Sequence, residues 1–487
     1  MYSPFWKNSQ KKQNLLADCF LFLASVFALL QTEGKVIACS LKSGTLFQIR
    51  ARRIVRWDMY KKIVALLFLL IVLVVGVQTM ARTGYSLGTS LFSRLTTVLA
   101  KTGWGHPNPS NHNGLDGING TQRKNEGGSF FASVKRGIED LESRFDDNFT
   151  CRSSFIDLYG LVQLFLDKKV IDSADPFNTV ILDSHHRLYL FKFKVETKEL
   201  ADAVIDFHSF VANQNIPLLY VQVPPKENPH SNDMPTGVLA LDNTLIDSML
   251  ERLQEQQVPT LDLRSEILKD KLDWYSLHYR TDHHWTMETA FWAHAKVIEK
   301  LNAEYNIGMD SDATHRNMQN YDKIFLPRFF LGSAGRHVGQ YFIGIDDFSY
   351  FVPRFDTHLG VSREGSTGTK TKTGTFGETI IDSYAIQVPA PLARNRYAVY
   401  FGGDSPLVQI CNTQGNGRIL IIQDSHGLPF SAFLALSAQE LDIVDLRHFI
   451  GSIREFVSQK HYDTILILYG PIVSDSRFRD LAERLYE

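Results

Sequence analysis

The chain has 487 residues, which at roughly 100–200 residues per domain allows two or three domains, or one elaborated α/β domain with appendages. Hydrophobic residues make up 44% of it and charged residues 21%, a balance that excludes a wholly disordered or collagen-like protein. The formal net charge of −2 hides an uneven distribution. Residues 1–62 hold 11 of the 51 Lys and Arg but only 3 of the 53 Asp and Glu, so the remaining residues hold 40 basic and 50 acidic side chains. So acidic a remainder predicts no nucleic-acid partner, because phosphate binding needs a basic face.

The longest apolar run covers residues 63–77 and, extended to 59–81, reaches the ~20 residues that span a bilayer core. Basic side chains precede it at positions 50, 52, 53, 56, 61 and 62, whereas only Arg82 follows closely. The positive-inside rule then predicts a single-pass anchor in the cell membrane, with a cytoplasmic N-terminus and everything after about residue 80 exported. The alternative is a cleaved signal peptide, but no clean small-x-small cleavage site follows.

The residues on either side of this anchor carry less information. Met59-Tyr-Lys-Lys, followed at once by the apolar run, is typical of a signal-anchor start, so residues 1–58 are predicted to be a doubtful extension from a mis-called start. Residues 82–128 are predicted to be juxtamembrane segment and flexible linker, because 15 of the 26 residues from 103 to 128 are Gly, Asn, Pro or Ser.

From residue 130 to the C-terminus, helical patterns alternate with short apolar runs. Strands are predicted at 217–223, 260–263, 418–422, 442–446 and 464–469, and helices at 200–214, 243–256, 286–301, 429–436 and 449–460. Near-continuous apolar strands separated by helices indicate a three-layer α/β domain with a parallel sheet covered on both faces. The pattern weakens over residues 308–416, which are predicted to be an elaborated insertion containing a flexible surface loop at 365–377.

The string Tyr279-Arg-Thr-Asp-His-His-Trp-Thr286 lies in a predicted loop that leads into a helix capped by Thr286. Asp282 and His284 are two residues apart, so in an extended segment they point to the same side. A carboxylate there can orient the imidazole and stabilise its charged form, which is the support that a general base needs. A mere hydrogen-bonded loop pair is the alternative interpretation.

A nucleophile is predicted where the strand at 418–422 runs through a tight turn, Asp424-Ser425-His426-Gly427, into a helix. Ser425 would stand at the carboxyl end of a parallel strand, beside helix-start N–H groups that can serve as oxyanion donors. The turn does not match the G-x-S-x-G elbow of ordinary α/β-hydrolases. The histidines at 278, 283, 284 and 294 and Asp282 are potential zinc ligands, but their spacing fits no common zinc motif, and we predict neither metal nor cofactor.

The TDHHWT string, the IIQDSHG serine turn and the later VDLRHF segment resemble the DHHW family of SGNH-hydrolase-like proteins, which are related to the AlgX/AlgJ-type alginate O-acetyltransferases. The resemblance implies an SGNH-hydrolase (flavodoxin-like) fold over residues 130–487, with Asp282, His284 and Ser425 as catalytic triad. It also implies a multi-pass membrane acyltransferase as partner. The oxyanion asparagine usual in SGNH enzymes has no evident counterpart, because the last strand ends Tyr469-Gly470-Pro471.

Other residues are candidates for oxyanion or substrate contacts. Gly402 and Gly403 could offer backbone donors, and Arg280 and Lys226 could bind substrate or be solvated loop charges. His283 is interpreted as structural or substrate-facing rather than as the base.

Together these features predict a membrane-anchored extracellular enzyme that transfers or hydrolyses an acyl group, most simply acetyl, on a polysaccharide or cell-wall glycan. A catalytically inactive glycan-binding or assembly protein on the same scaffold remains the alternative, and the sequence does not separate transferase from esterase.

Overall fold

The computed structural model describes residues 152–173, 175–192, 196–365, 368–388, 394–471 and 481–487, which belong to the compact unit Cys151–Glu487. The predicted extension, anchor and linker lie outside the described residues. Within the described ranges, no helix has both the length and the apolar composition needed to cross a bilayer.

The strands are short and, in the centre of the domain, almost wholly apolar. They are β1 (Val170–Ile171), β2 (Val180–Leu182), β3 (Leu188–Leu190), β4 (Leu218–Gln222), β5 (Thr260–Asp262), β6 (Tyr321–Phe330), β7 (Asp346–Pro353), β8 (Leu359–Arg363), β9 (Lys370–Gly374), β10 (Leu407–Cys411), β11 (Arg418–Gln423), β12 (Glu440–Val444) and β13 (Thr464–Tyr469).

Helices connect most of these strands. They are α1 (Arg152–Phe165), α2 (Lys198–Ala212), α3 (Asp242–Glu255), α4 (Leu263–Asp270), α5 (Met287–Tyr305), α6 (Ser333–Val338), α7 (Gln340–Ile343), α8 (Phe376–Thr379), α9 (Gly427–Leu434), α10 (Ile453–Ser458) and α11 (Leu481–Tyr486). Short 3₁₀ turns occupy Pro176–Asn178, Trp274–Ser276, Met318–Asn320 and Arg396–Val399.

The central sheet has eight strands in the order β5-β4-β13-β11-β12-β10-β8-β9. The first five run parallel, whereas β10, β8 and β9 pair antiparallel at one edge. The predicted parallel sheet is therefore wrong at this edge, and the sheet is mixed. For β8 and β9 the reason is the length of the connection: only residues 364–369 separate them, too few for the long crossover that a parallel pair needs.

Both faces of the central sheet are covered, as the apolar strands predict. Alternate residues of β11 and β13 point to opposite faces, so each strand contributes to two separate hydrophobic clusters. One cluster contains Ile419, Ile421, Leu466 and Leu468 together with residues of α5 and α9. The other contains Leu420, Ile422, Ile465 and Ile467 together with residues of α2 and α3. The three-layer α/β architecture is thereby confirmed.

The segment 308–416 differs most from its prediction. Residues 321–353 form a separate two-stranded sheet, β6–β7, and residues 359–411 supply the antiparallel edge of the central sheet. The predicted flexible loop at 365–377 is wrong, because β9 and α8 occupy most of it. The alternating Thr and Lys of β9 are exposed, so this edge strand gives no hydrophobic signal.

The helix α1 has one buried residue, Gly160, and Asp157 in the same helix accepts hydrogen bonds from the N–H and side chain of Gln340. A Cβ at Gly160 would overlap the carbonyl oxygen of Val338 in α6 and crowd Phe342 in α7. The glycine therefore allows a backbone approach that no side chain permits.

We predict that Gly160→Ala lowers the free energy of unfolding by about 1–3 kcal/mol, the usual cost of overpacking, and lowers the melting temperature in a thermal denaturation experiment. Gly377→Ala is the matched control, because this exposed helical glycine has only a distant neighbour, Thr375 Oγ1 at 4.0 Å. Equal melting temperatures for the two variants would contradict the proposed close approach.

Candidate active site

The TDHHWT string forms a tight hairpin rather than an open loop. The N–H of Tyr279 donates to the carbonyl of His284 at 3.2 Å, and His278 forms a β-bridge with Trp285. Thr286 then caps α5 by accepting a hydrogen bond from the N–H of Thr289, as predicted. The hairpin thus joins a rigid helix, which fixes the direction of its side chains.

Asp282 and His284 point to the same side of this hairpin. One carboxylate oxygen of Asp282 accepts from the backbone N–H of His284 at 3.0 Å and lies 2.5 Å from its Nδ1. The Nε2 of His284 lies 2.8 Å from the Oγ of Ser425, 141 residues further along the chain. With Nδ1–H bonded to the carboxylate, Nε2 is the acceptor that faces the serine hydroxyl. The three residues therefore form a continuous carboxylate–imidazole–hydroxyl chain.

Burial sets the electrostatics of this chain. It opposes ionisation of Asp282, but the neighbouring imidazoles of His284 and His283 and the hydrogen bonds to the carboxylate outweigh it, so the pKa of Asp282 lies well below its ordinary value. Burial also lowers the pKa of His284, although the charge of Asp282 counteracts this. The imidazole is thus neutral, and able to accept a proton, at neutral pH.

The second oxygen of Asp282 is held by residues of the elaboration. It accepts from the N–H of Ser333 at 2.5 Å, at the start of α6. Gly332 comes so close that a Cβ there would overlap the Asp282 side chain. Asp346 at the start of β7 accepts from both the N–H and the hydroxyl of Thr281, at 2.8 and 2.7 Å. The insertion therefore fixes the carboxylate from the side opposite His284.

Lys226 has a different role from the predicted substrate contact. Its ammonium group is buried and donates to three backbone carbonyls, those of Leu188, Arg280 and Asp282, at 2.8–2.9 Å. Burial lowers the pKa of Lys226 to about 7. The side chain is not accessible to a substrate. It instead connects the hairpin of residues 278–285 to β3.

The serine turn at the end of β11 is fixed by Asp424. Its carboxylate accepts from the N–H of His426 at 2.9 Å and from the N–H of Gly470 at 3.1 Å, and it lies 3.2 Å from the Nδ1 of His426. Gly470 follows β13, and a Cβ there would overlap the His426 ring. The turn after β13, where an asparagine was expected, instead provides a glycine on which this imidazole packs.

Two aromatic rings adjoin His284. Tyr397 stacks on it with ring centroids 3.9 Å apart, and burial raises the pKa of Tyr397 well above its ordinary value. His283 lies on the other side at 3.8 Å, with its Nδ1 2.9 Å from the Oγ of Ser333. The His283 side chain is 44% exposed, which fits a residue beside the site. Sequence reasoning missed Tyr397 because it lies 113 residues beyond His284 in a segment without a motif.

The predicted glycines lie in a turn that contacts Tyr400, Arg363 and Asp382. The N–H of Gly403 donates to Tyr400, its carbonyl accepts from Arg363, and Gly402 packs against Arg363 and Asp382. These contacts fold a positive-φ turn, a conformation that favours glycine. The expected oxyanion role therefore has no support from their positions.

Arg280 lies on the outer side of the hairpin. Its Nε donates to Asp346 at 3.2 Å and its Nη1 to the carbonyl of Ile343 at 3.4 Å. The side chain is 44% exposed and remains available to a ligand.

Two groups of potential metal ligands occur among the described residues. Asp282, His283 and His284 offer ligand atoms within 4.8 Å of one another, as do Asp404, Asp445 and His448. In the first group the carboxylate is already bonded to Nδ1 of His284, so a metal would have to break that pair. In the second, Arg447 bridges the two carboxylates. Both arrangements favour hydrogen bonding over metal coordination.

Part of this chain matches a known family model. Residues 192–321 match the family model described as an SGNH hydrolase-like domain of the acetyltransferase AlgX. No curated protein matches the sequence.

Among solved structures, Bacillus cereus PatB1 with a sulfonyl adduct is similar, with 19% identity and a TM-score of 0.52, covering 62% of this chain and 97% of PatB1. A DHHW family protein from Eubacterium siraeum also has 19% identity, with a TM-score of 0.49. The match covers 66% of this chain and 97% of the Eubacterium siraeum protein. At this identity the likeness to PatB1 shows a shared fold. The predicted resemblance is thereby confirmed: residues 192–321 are similar to the SGNH hydrolase-like domain of the acetyltransferase AlgX.

Proposed function

We propose that this protein is a serine-dependent acyltransferase or esterase, acting on O-acetyl groups of a cell-surface or exported polysaccharide. The observation that carries the proposal is the 2.8 Å separation between Ser425 Oγ and His284 Nε2, with Asp282 on the far nitrogen of the ring. A hydroxyl, a neutral imidazole and a buried carboxylate in this order are the parts that nucleophilic acyl transfer requires.

In the proposed reaction, Ser425 Oγ attacks the acyl carbonyl while His284 Nε2 takes the hydroxyl proton. The C–O bond to the donor alcohol then breaks, and His284 returns the proton to the leaving oxygen. Asp282 stabilises the transient imidazolium through Nδ1. A sugar hydroxyl or water attacks the acyl-serine by the same steps in reverse, which regenerates Ser425. With a sugar hydroxyl as acceptor the protein is a transferase, and with water it is an esterase.

Backbone N–H groups of the serine turn are the best candidates for stabilising the oxyanion. The N–H groups of His426 and Gly427 already donate to Asp424. The N–H of Ser425 takes no part in these two bonds and belongs to the same residue as the attacking Oγ. The carbonyl of His426 accepts from Trp285 Nε1 at 2.9 Å, which holds the turn against the catalytic hairpin. A preorganised backbone donor of this kind supplies much of the rate enhancement in acyl transfer.

We further propose that the apolar segment at 59–81 anchors the protein in the cell membrane and that the domain acts outside the cell. The support is the run of apolar residues and the basic residues before it. An acyl donor made inside the cell must then cross the membrane, which a multi-pass membrane partner would accomplish. This partner rests on family analogy alone.

We predict that Ser425→Ala and His284→Ala each lower kcat/KM for hydrolysis of p-nitrophenyl acetate by at least ~100-fold, because each removes one partner of the proton transfer. The measurement uses the full-length protein. Ser458→Ala and His461→Ala, which change an exposed serine and an exposed histidine, are the matched controls and keep wild-type rates. Equal background rates in the wild-type protein and both triad variants would contradict the enzyme and favour the non-catalytic glycan-binding protein.

The pH dependence provides a separate prediction. PatB1 was solved with a sulfonyl adduct, and sulfonyl fluorides label activated serines, so we expect phenylmethylsulfonyl fluoride to label Ser425. The labelling rate should rise with pH as His284 loses its proton. Since burial lowers the pKa of His284, the midpoint of this rise should lie below pH 6.5.

Asp282→Asn removes the charge that counteracts this lowering, so labelling should slow and its midpoint should move to still lower pH. Mass spectrometry of the labelled protein at a series of pH values measures both effects. A midpoint above pH 7 in the wild-type protein, or label on a serine other than Ser425, would contradict the assignment.

A further inference from the structure

A cleft of about 510 Å³ lies on the outer side of the catalytic hairpin, between residues 272–280, the first turns of α5 and the sheet β6–β7. Its lining includes His278, Tyr279 and Arg280 but none of Asp282, His284 and Ser425. It is therefore distinct from the triad, although both are built on the same hairpin.

Three large aromatic side chains line this cleft: the buried Tyr279, and Phe325 and Trp292 nearer its surface. Phe325 projects from β6 and is 53% exposed, so its ring is accessible to a ligand. Trp292 on α5 is half-buried, and its Nε1 donates to Asp270 at 2.8 Å, so the indole ring has a fixed orientation. Rigid aromatic faces of this kind pack against the apolar C–H faces of sugar rings.

The charges of the cleft are balanced in pairs. Arg280 bonds to Asp346, and Lys323 lies 2.9 Å from Glu288. A further carboxylate, that of Asp347, also lines the cleft. No cation among the lining residues is left unpaired, which disfavours an anionic ligand such as a uronate polymer. Paired donors and acceptors suit neutral hydroxyl groups, each of which both donates and accepts.

Buried polar atoms in the lining also lack partners. The hydroxyl of Tyr279 and both ring nitrogens of His278 make no hydrogen bond of normal geometry to the described residues. Both side chains are at least nine-tenths buried. Backbone groups of Pro224 and Met287 adjoin His278 and Tyr279 respectively, and the unpaired atoms have almost no exposed surface, so they belong to the inner wall of the cleft.

The cleft is connected to the triad through direct ring contacts. Tyr397 stacks on His284 at 3.9 Å and meets Tyr279 edge-on with centroids 6.5 Å apart. A ligand that contacts Tyr279 is thus separated from the catalytic imidazole by a single aromatic ring.

We propose that this cleft binds a neutral oligosaccharide segment of the acceptor polysaccharide, with Phe325 and Trp292 contacting sugar rings. The link to acyl transfer rests on the proposed function above, whereas binding itself does not. The cleft would select the acceptor, and the triad would perform the chemistry.

The test measures binding to the full-length protein by isothermal titration calorimetry, using chitohexaose, cellohexaose and a mannuronate hexamer as probes. We expect at least one neutral hexamer to bind and the mannuronate hexamer to bind more weakly. Phe325→Ala should weaken the neutral hexamer at least ~10-fold, because it removes one stacking face. Tyr341→Ala is the matched control: it removes another exposed aromatic ring, one that does not line the cleft, and should leave affinity unchanged.

Absence of binding by both neutral hexamers, tighter binding of mannuronate, or equal affinity of the wild-type protein and Phe325→Ala would each overturn the proposal. Hydrolysis of p-nitrophenyl acetate distinguishes it from the proposed function. Tyr341→Ala, which changes neither the cleft lining nor the triad, should keep wild-type hydrolysis. If the wild-type protein binds the hexamer through Phe325 but hydrolyses no ester, the cleft is supported and the enzyme is contradicted. If it hydrolyses the ester but binds no neutral hexamer, the enzyme is supported and the cleft is contradicted.

Discussion

The buried carboxylate of Asp282 is the group on which the arrangement of this domain most depends. A charge removed from water must be compensated by hydrogen bonds, and Asp282 receives them from two separate parts of the chain. One oxygen bonds to the backbone and imidazole of His284, and the other accepts from the N–H of Ser333. Any folding in which the insertion failed to reach Asp282 would leave the charge partly uncompensated. The same bonds that stabilise the carboxylate orient the imidazole, so stability and candidate chemistry share one constraint.

The mixed sheet provides the frame for this site. The parallel strands β4, β13 and β11 end at one edge, where the serine turn and the turn containing Gly470 meet. Asp424 joins these two turns by accepting from Gly470 and His426. Lys226, just beyond β4, holds the catalytic hairpin at the same edge through backbone carbonyls. Side chains that are distant in sequence therefore converge because parallel strands place their carboxyl ends together.

The insertion is part of the site rather than a peripheral decoration. It supplies Ser333 and Asp346, which hold the catalytic hairpin from outside, and the Tyr397 ring that stacks on His284. Its sheet β6–β7 also forms one wall of the cleft that contains Phe325. The insertion therefore contributes both to the support of Asp282 and to the cleft, whereas the serine turn belongs to the central sheet.

The sequence by itself determined the features that depend on local spacing. The apolar runs of β4, β11 and β13 predict buried parallel strands, the two-residue separation of Asp282 and His284 places them on one side of the chain, and Ser425 follows its strand directly. Only the tertiary structure decided the antiparallel edge, the contact with Tyr397, the burial of Lys226 and the contacts of Gly402 and Gly403 with Arg363 and Tyr400. Periodicity reports which face of an element is buried, whereas these contacts join residues far apart in the chain, and no local pattern specifies which distant partner a side chain will meet.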